Sequence, residues 1–173
     1  MHRVLYLALV FLVACGAAPI EPDASPSSVP EAVSESVSDE VPATDAAPVA
    51  DIDSVAITGE AGSYTFAVTI SSNDTGCDQY ADWWEVVNAE TGELLYRRIL
   101  VHSHVDEQPF TRSGGPVAVA SDQVVIVRGH MGGLQPGYGG QMLKGSVESG
   151  FEPAEEALPS LEAVEPLPTG CTF

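Results

Sequence analysis

The stretch Tyr64-Thr65-Phe66-Ala67-Val68-Thr69-Ile70 alternates large apolar with small or polar side chains without a break. A two-residue period places Tyr64, Phe66, Val68 and Ile70 on one face of an extended strand, and that face has to be covered by another layer. The surrounding region repeats the theme in short pieces. Val55-Ala56-Ile57 precedes this strand across Gly59 and Gly62, which predicts a hairpin turn. Trp83 to Val87 and Leu94 to Val105 flank Asn88-Ala89-Glu90-Thr91-Gly92 and predict a second hairpin. Val117 to Val119, Gln123 to Arg128 and Met142 to Val147 predict three more strands, punctuated by Gly114-Gly115-Pro116 and by Gly132 to Gly140. No segment carries a sustained 3.6-residue apolar period bounded by caps. About seven short strands within roughly 100 residues predict an all-β fold, a single antiparallel β-sandwich; a jelly roll or small β-barrel is the alternative.

The flanks of this region differ sharply in composition. Residues 16–50 hold seven acidic residues and six prolines, with no basic and no aromatic residue. Such a segment cannot bury enough apolar surface to offset its ordering entropy, so it is expected to be a disordered tether. Fully extended it would reach on the order of 100 Å. Residues 151–173 return to the same style, with five Glu and four Pro, and are expected to form an extended tail along the surface. The predicted domain therefore spans residues 51–150. The whole chain of 173 residues carries 25 acidic against 6 basic residues, a formal charge of −19. That excess excludes a general nucleic-acid binder, because nothing would neutralise phosphates. After the first 14 residues no apolar run reaches 18, so no helical membrane span is expected beyond them.

The amino terminus reads as an export signal. Met1-His2-Arg3 is a short basic start, followed by the ten apolar residues Val4 to Val13. The run ends in Leu12-Val13-Ala14-Cys15-Gly16, which resembles the bacterial lipoprotein signal. The resemblance implies cleavage after residue 14 and lipidation of Cys15 with a diacylglyceryl thioether and an acylated amine, palmitate being a typical chain. Two or more acyl chains hold a protein on a membrane stably where one does not. Gly16, standing where an Asp would signal inner-membrane retention in enteric bacteria, implies anchoring to the outer membrane, facing the periplasm or the exterior. A second resemblance lies in the domain. The Trp83-Trp84 pair, the Glu90-Thr91-Gly92 turn and the strand after it are similar to the middle hairpin of immunoglobulin-like or fibronectin type III-like modules. This implies a small rigid module on a stalk, and no particular chemistry.

With Cys15 lipidated, Cys77 and Cys171 remain, each preceded by Thr-Gly. An exported compartment is oxidising, so the pair is expected to form a disulfide; two separate thiols are the alternative. Neither cysteine has a basic neighbour to activate it as a nucleophile.

His102-Ser103-His104 is the sharpest candidate for chemistry. On a strand, residues two apart share a face, so both imidazoles could converge on one ion, with His130 as a third ligand and Asp106 or Glu107 nearby. Such a set would suit zinc, or copper if Met131 joined it; ordinary surface or hydrogen-bonded histidines are the plainer reading. Asn73-Asp74-Thr75-Gly76-Cys77-Asp78 with Asp82 is oxygen-rich enough for calcium, but it lacks the spaced acids of a hand-type loop and reads better as an Asx turn. Trp83 and Trp84 are adjacent, so one is expected in the core and the other outside. The outer one, with Tyr80, could stack on a glycan or meet an envelope protein, or be covered by the tail. Arg97, Arg98, Arg112 and Arg128 are expected to pair with carboxylates, a small anion-binding patch being the alternative. Nucleophile-elbow, phosphate-loop and zinc-protease motifs are absent, so no enzymatic activity is expected. The sequence as a whole points to a membrane-anchored envelope lipoprotein presenting a binding module, with a metal-binding protein using His102, His104 and His130 as the competing class.

Overall fold

A computed structural model describes residues 47–172. The lipidation candidate Cys15 and nearly all of the expected tether lie outside the described residues. Eight strands follow one another: β1 (Ala50–Glu60), β2 (Ser63–Ser72), β3 (Gln79–Asn88), β4 (Leu94–Ile99), β5 (Phe110–Val117), β6 (Val125–Gly133), β7 (Met142–Ser146) and β8 (Gly150–Ala154). They form two antiparallel sheets, ordered β1-β2-β5 and β4-β3-β6-β7-β8. The orders β1-β2-β5 and β3-β6-β7 match strands A-B-E and C-F-G of an immunoglobulin sandwich, and the fourth strand pairs with β3 at the opposite edge. The expected β-sandwich is what the chain forms, and its two separate sheets do not close into a barrel.

The alternation in β2 sets the core. Tyr64, Phe66, Val68 and Ile70 are all buried while their neighbours are exposed or half-buried. Beside them in the same sheet lie Phe110 and Val117 of β5, and across the sandwich they meet Trp84 and Val86 of β3 and Val125, Val127 and Met131 of β6.

Two strand expectations need correction. β5 is Phe110–Val117, and Gly114-Gly115-Pro116 lies inside it instead of punctuating it. These glycines serve close approach. A Cβ on Gly114 would sit 2.6 Å from the Tyr96 hydroxyl and 2.9 Å from the Trp84 ring, and one on Gly115 would sit 2.7 Å from the Tyr64 carbonyl oxygen. The strand expected over Leu94 to Val105 ends at Ile99. The last bond to β3 runs from the Leu100 amide to the Asp82 carbonyl; beyond it the Asp74 carboxylate accepts from the His104 amide and holds residues 100–109 as a loop.

Antiparallel pairing sends three loops, residues 73–78, 100–109 and 134–141, to one end of the sandwich, the end at which β1 begins. Asp74 ties two of them together: its Oδ1 accepts from the Ala81 amide at 2.8 Å and its Oδ2 from the His104 amide at 2.7 Å. This is a structural use of the loop suspected of holding calcium.

The segment read as a surface tail is part of the fold. Residues 150–154 form β8, so the sheet runs past the expected boundary. Pro159 then reaches the Gly92 turn at the far end of the sandwich, and the chain returns to the loop end, where Cys171 bonds Cys77 across a Cα–Cα distance of 5.5 Å. The expected disulfide pair is present. Between those points the segment covers the outer face of β4-β3-β6 and forms a third layer.

Candidate functional site

Along β3 the core-facing Trp84 and Val86 alternate with Trp83, Glu85 and Val87, which point away from the sandwich interior. Nearly every β3 residue is nevertheless buried, because the tail covers this outer face. At its centre Glu85 is fully buried, directly opposite Arg97 on β4 and Arg128 on β6 in the strand register. Its Oε2 accepts from Arg97 Nε at 2.9 Å and Nη2 at 2.5 Å, and its Oε1 accepts from Arg128 Nε at 2.7 Å. One carboxylate is thus held between two guanidiniums, and the donors left over reach the tail backbone. Arg97 donates to the carbonyls of Leu161, Val164 and Pro166, and Arg128 to that of Pro159. Buried charge is tolerable only when it is paired and its remaining hydrogen-bonding capacity is met, and here both conditions hold.

Aromatic rings build the rest of this face. The Trp83 indole lies between the Arg97 guanidinium, 4.3 Å from its ring centroid, and the His130 imidazole. Arg128 lies 3.7 Å over the Tyr138 ring. His130 bridges Asp82, 2.7 Å from Nδ1, and Glu162 of the tail, 3.2 Å from Nε2. Burial pushes the Asp82 carboxyl above the usual carboxylate range, and its hydrogen bond to His130 works against that shift. Burial, assisted by the nearby Glu85 charge, pushes the Tyr138 hydroxyl up to about 12.

The expectation of an outward tryptophan is corrected by these contacts. Trp83, Trp84 and Tyr80 are all buried, so none of them offers a ring to a glycan or to a passing protein; Trp84 fills the core and Trp83 lies under the tail. The arginine expectation fares better: Arg97, Arg128 and Arg112 pair with Glu85, Glu85 and Glu107 respectively.

The histidines do not share one site. His102 and His104 lie in the loop after β4, their ring centroids 4.5 Å apart, and His104 is buried and stacked on Phe110 at 3.7 Å. His130 belongs to the tail-covered face, with Trp83, Asp82 and Tyr138 as its neighbours. Met131 packs in the core, Asp106 is exposed, and Glu107 is taken by Arg112. Among the described residues no three His, Cys, Asp or Glu side chains converge in a way that could hold a metal ion. The alternative zinc or copper set is therefore not assembled among the described residues. The shared strand face it needed does not exist once β4 stops at Ile99.

Sequence reasoning did not single out Glu85 or Tyr138, and it noted Asp82 only as an oxygen donor beside the 73–78 loop. The available signal was Glu85 itself, a lone acid inside the apolar run Trp83 to Val87 with arginines on the neighbouring strands.

No family model matches this chain, and no solved structure matches it. Over 85 residues, 49% of the chain, it is 44% identical to a protein of Halomicrobium mukohataei named "Putative lipoprotein". The chain covers 40% of that relative's length, so the similarity concerns a portion of the longer protein.

Proposed function

We propose that this chain is an exported lipoprotein, anchored through lipidated Cys15, that holds its β-sandwich away from the membrane on the acidic tether as a non-catalytic binding or interaction module. The observation that carries the reading is Leu12-Val13-Ala14-Cys15-Gly16 directly after a ten-residue apolar run. The similarity to a relative bearing the name lipoprotein supports it. In an envelope with two membranes, Gly16 after the Cys directs the anchor to the outer one. The absence of catalysis is supported by the saturation of the central face: Glu85 is held by two arginines, and His130 lies between two carboxylates. An envelope protein partner would meet the loop end, where Val101, Val105 and the 81% exposed Leu134 present apolar surface. The metal-binding alternative loses its third ligand with His130.

The test is expression of the full chain with labelled palmitate, beside Cys15→Ser. The expected result is label in the wild type, partition into the membrane fraction, and loss of both in the variant. Equal partition of the two proteins would overturn the reading.

A further inference from the structure

We infer that the pocket between β4 and the loop that follows it binds a small inorganic oxyanion, held by Arg98, Arg112, His102 and His104. The inference does not depend on lipidation of Cys15 and gives the module a ligand class of its own. The pocket has a volume of about 40 Å³, and its wall includes all four side chains together with Ile99, Leu100 and Val101. One water needs roughly 10–15 Å³ by this measure, so the space suits a group of a few heavy atoms.

The charges point to an anion. Five cationic side chains lie among the described residues. Arg97 and Arg128 are saturated by Glu85 and the tail carbonyls, and Lys144 pairs with Glu156. Arg112 shares one edge with Glu107, a carboxylate that is itself largely exposed. Arg98 alone, among the described residues, has no carboxylate within 4 Å; its Nε donates to the Ser113 carbonyl at 3.2 Å. A chain of charge −19 thus places the one guanidinium that is uncompensated among the described residues, a half-compensated one and two imidazoles around a single cavity. Planar guanidiniums match tetrahedral and planar oxyanions well.

His104 supplies the second, independent observation. Its side chain is 1% exposed, and neither ring nitrogen has a hydrogen-bond partner. Leaving a buried polar group unmatched is costly, and such a group is normally explained by something it is built to meet. The nearest acid, Asp74, has its Oδ2 3.8 Å from Nδ1, but that oxygen already accepts from the His104 amide, and Oδ1 accepts from Ser72 and Ala81. Burial, reinforced by the Arg112 and His102 charges, holds the His104 imidazole below its usual range, so it meets a ligand as a neutral N–H donor while the arginines supply charge. The same positive surroundings oppose a metal cation.

The experiment titrates the full chain with inorganic phosphate at constant ionic strength over a chloride background, following the imidazole resonances of His102 and His104. Both should shift saturably, with sulfate competing. Arg98→Gln should weaken binding about tenfold or more, and His102→Gln should weaken it too. Arg98 is exposed, so melting in phosphate-free buffer should hardly change. Glycerol phosphate in a parallel arm separates a lipid headgroup from free phosphate as the source: tighter binding than phosphate itself marks the headgroup, and either result supports the site. No saturable shift, or a shift undiminished in Arg98→Gln, overturns it, the latter meaning an adventitious ion only. Saturable zinc uptake on the same resonances, with phosphate inert, overturns it as well.

Discussion

The Trp83 indole and the His130 imidazole lie parallel, their centroids 3.7 Å apart and their planes 2° apart. This stack joins β3 to β6 on the outer face of the sheet, and the tail seals it through Glu162. Deleting residues 158–173 should therefore uncover Trp83 while Trp84 stays in the core. The expected outcome is a red shift of tryptophan emission and a new, readily quenched fraction, with the far-ultraviolet β spectrum retained. An unchanged emission maximum in a folded truncation would show that the tail does not shield Trp83.

Glu85 is the residue whose loss should cost most on this face. Glu85→Ala would leave two buried guanidiniums without a counter-charge, a change worth about 3–5 kcal/mol in denaturant unfolding. Replacing Glu85, Arg97 and Arg128 together by apolar residues of similar volume should recover part of that loss, because the desolvation penalty disappears along with the pair. A triple variant weaker than Glu85→Ala would show that the arginine contacts to the tail carbonyls dominate.

Cys77 and Cys171 lie 94 positions apart in sequence. In the chain-entropy account a bridge over a loop of that length contributes up to about 4–5 kcal/mol, with about 2–5 kcal/mol typical on removal of a native bridge. Cys77→Ser with Cys171→Ser should lower the unfolding midpoint accordingly and make the chain near Thr172 the first site of limited proteolysis. Peptide mapping without reductant should recover the linked pair from the wild type.

The stability of the protein should also depend on pH through His104. Its folded-state pKa is lowered from 6.5, chiefly by burial. The unfolded chain therefore binds the proton more readily than the folded one, and stability falls as pH drops below about 6.5, until the folded imidazole is protonated as well. Melting temperatures measured from pH 7.5 down to 5 should decline in the wild type and decline less in His104→Gln. Equal slopes would place the acid sensitivity elsewhere.

The alternation of Tyr64 to Ile70 made one sheet face legible, because a two-residue period has one interpretation when its apolar members are large. β5 was hidden because a strand whose work is to let Trp84 and Tyr96 approach its backbone carries glycines where strand-forming residues are expected. The separation of His130 from His102 and His104 was hidden for a different reason. It rests on where β4 ends, and beyond that point the loop is held by the Asp74 carboxylate, which accepts from the His104 amide and comes from a distant part of the chain.

The sequence alone determined the local properties: the lipoprotein-type start, the acidic flanks, the β-rich middle and the pair of cysteines left to meet each other. Each follows from composition or short-range period, which tertiary contacts cannot alter. Only the tertiary structure decided that the acidic, proline-rich end is a structural layer. Its backbone carbonyls find Arg97 and Arg128 on strands more than thirty residues away, and backbone groups carry no mark of their partners in the order of side chains.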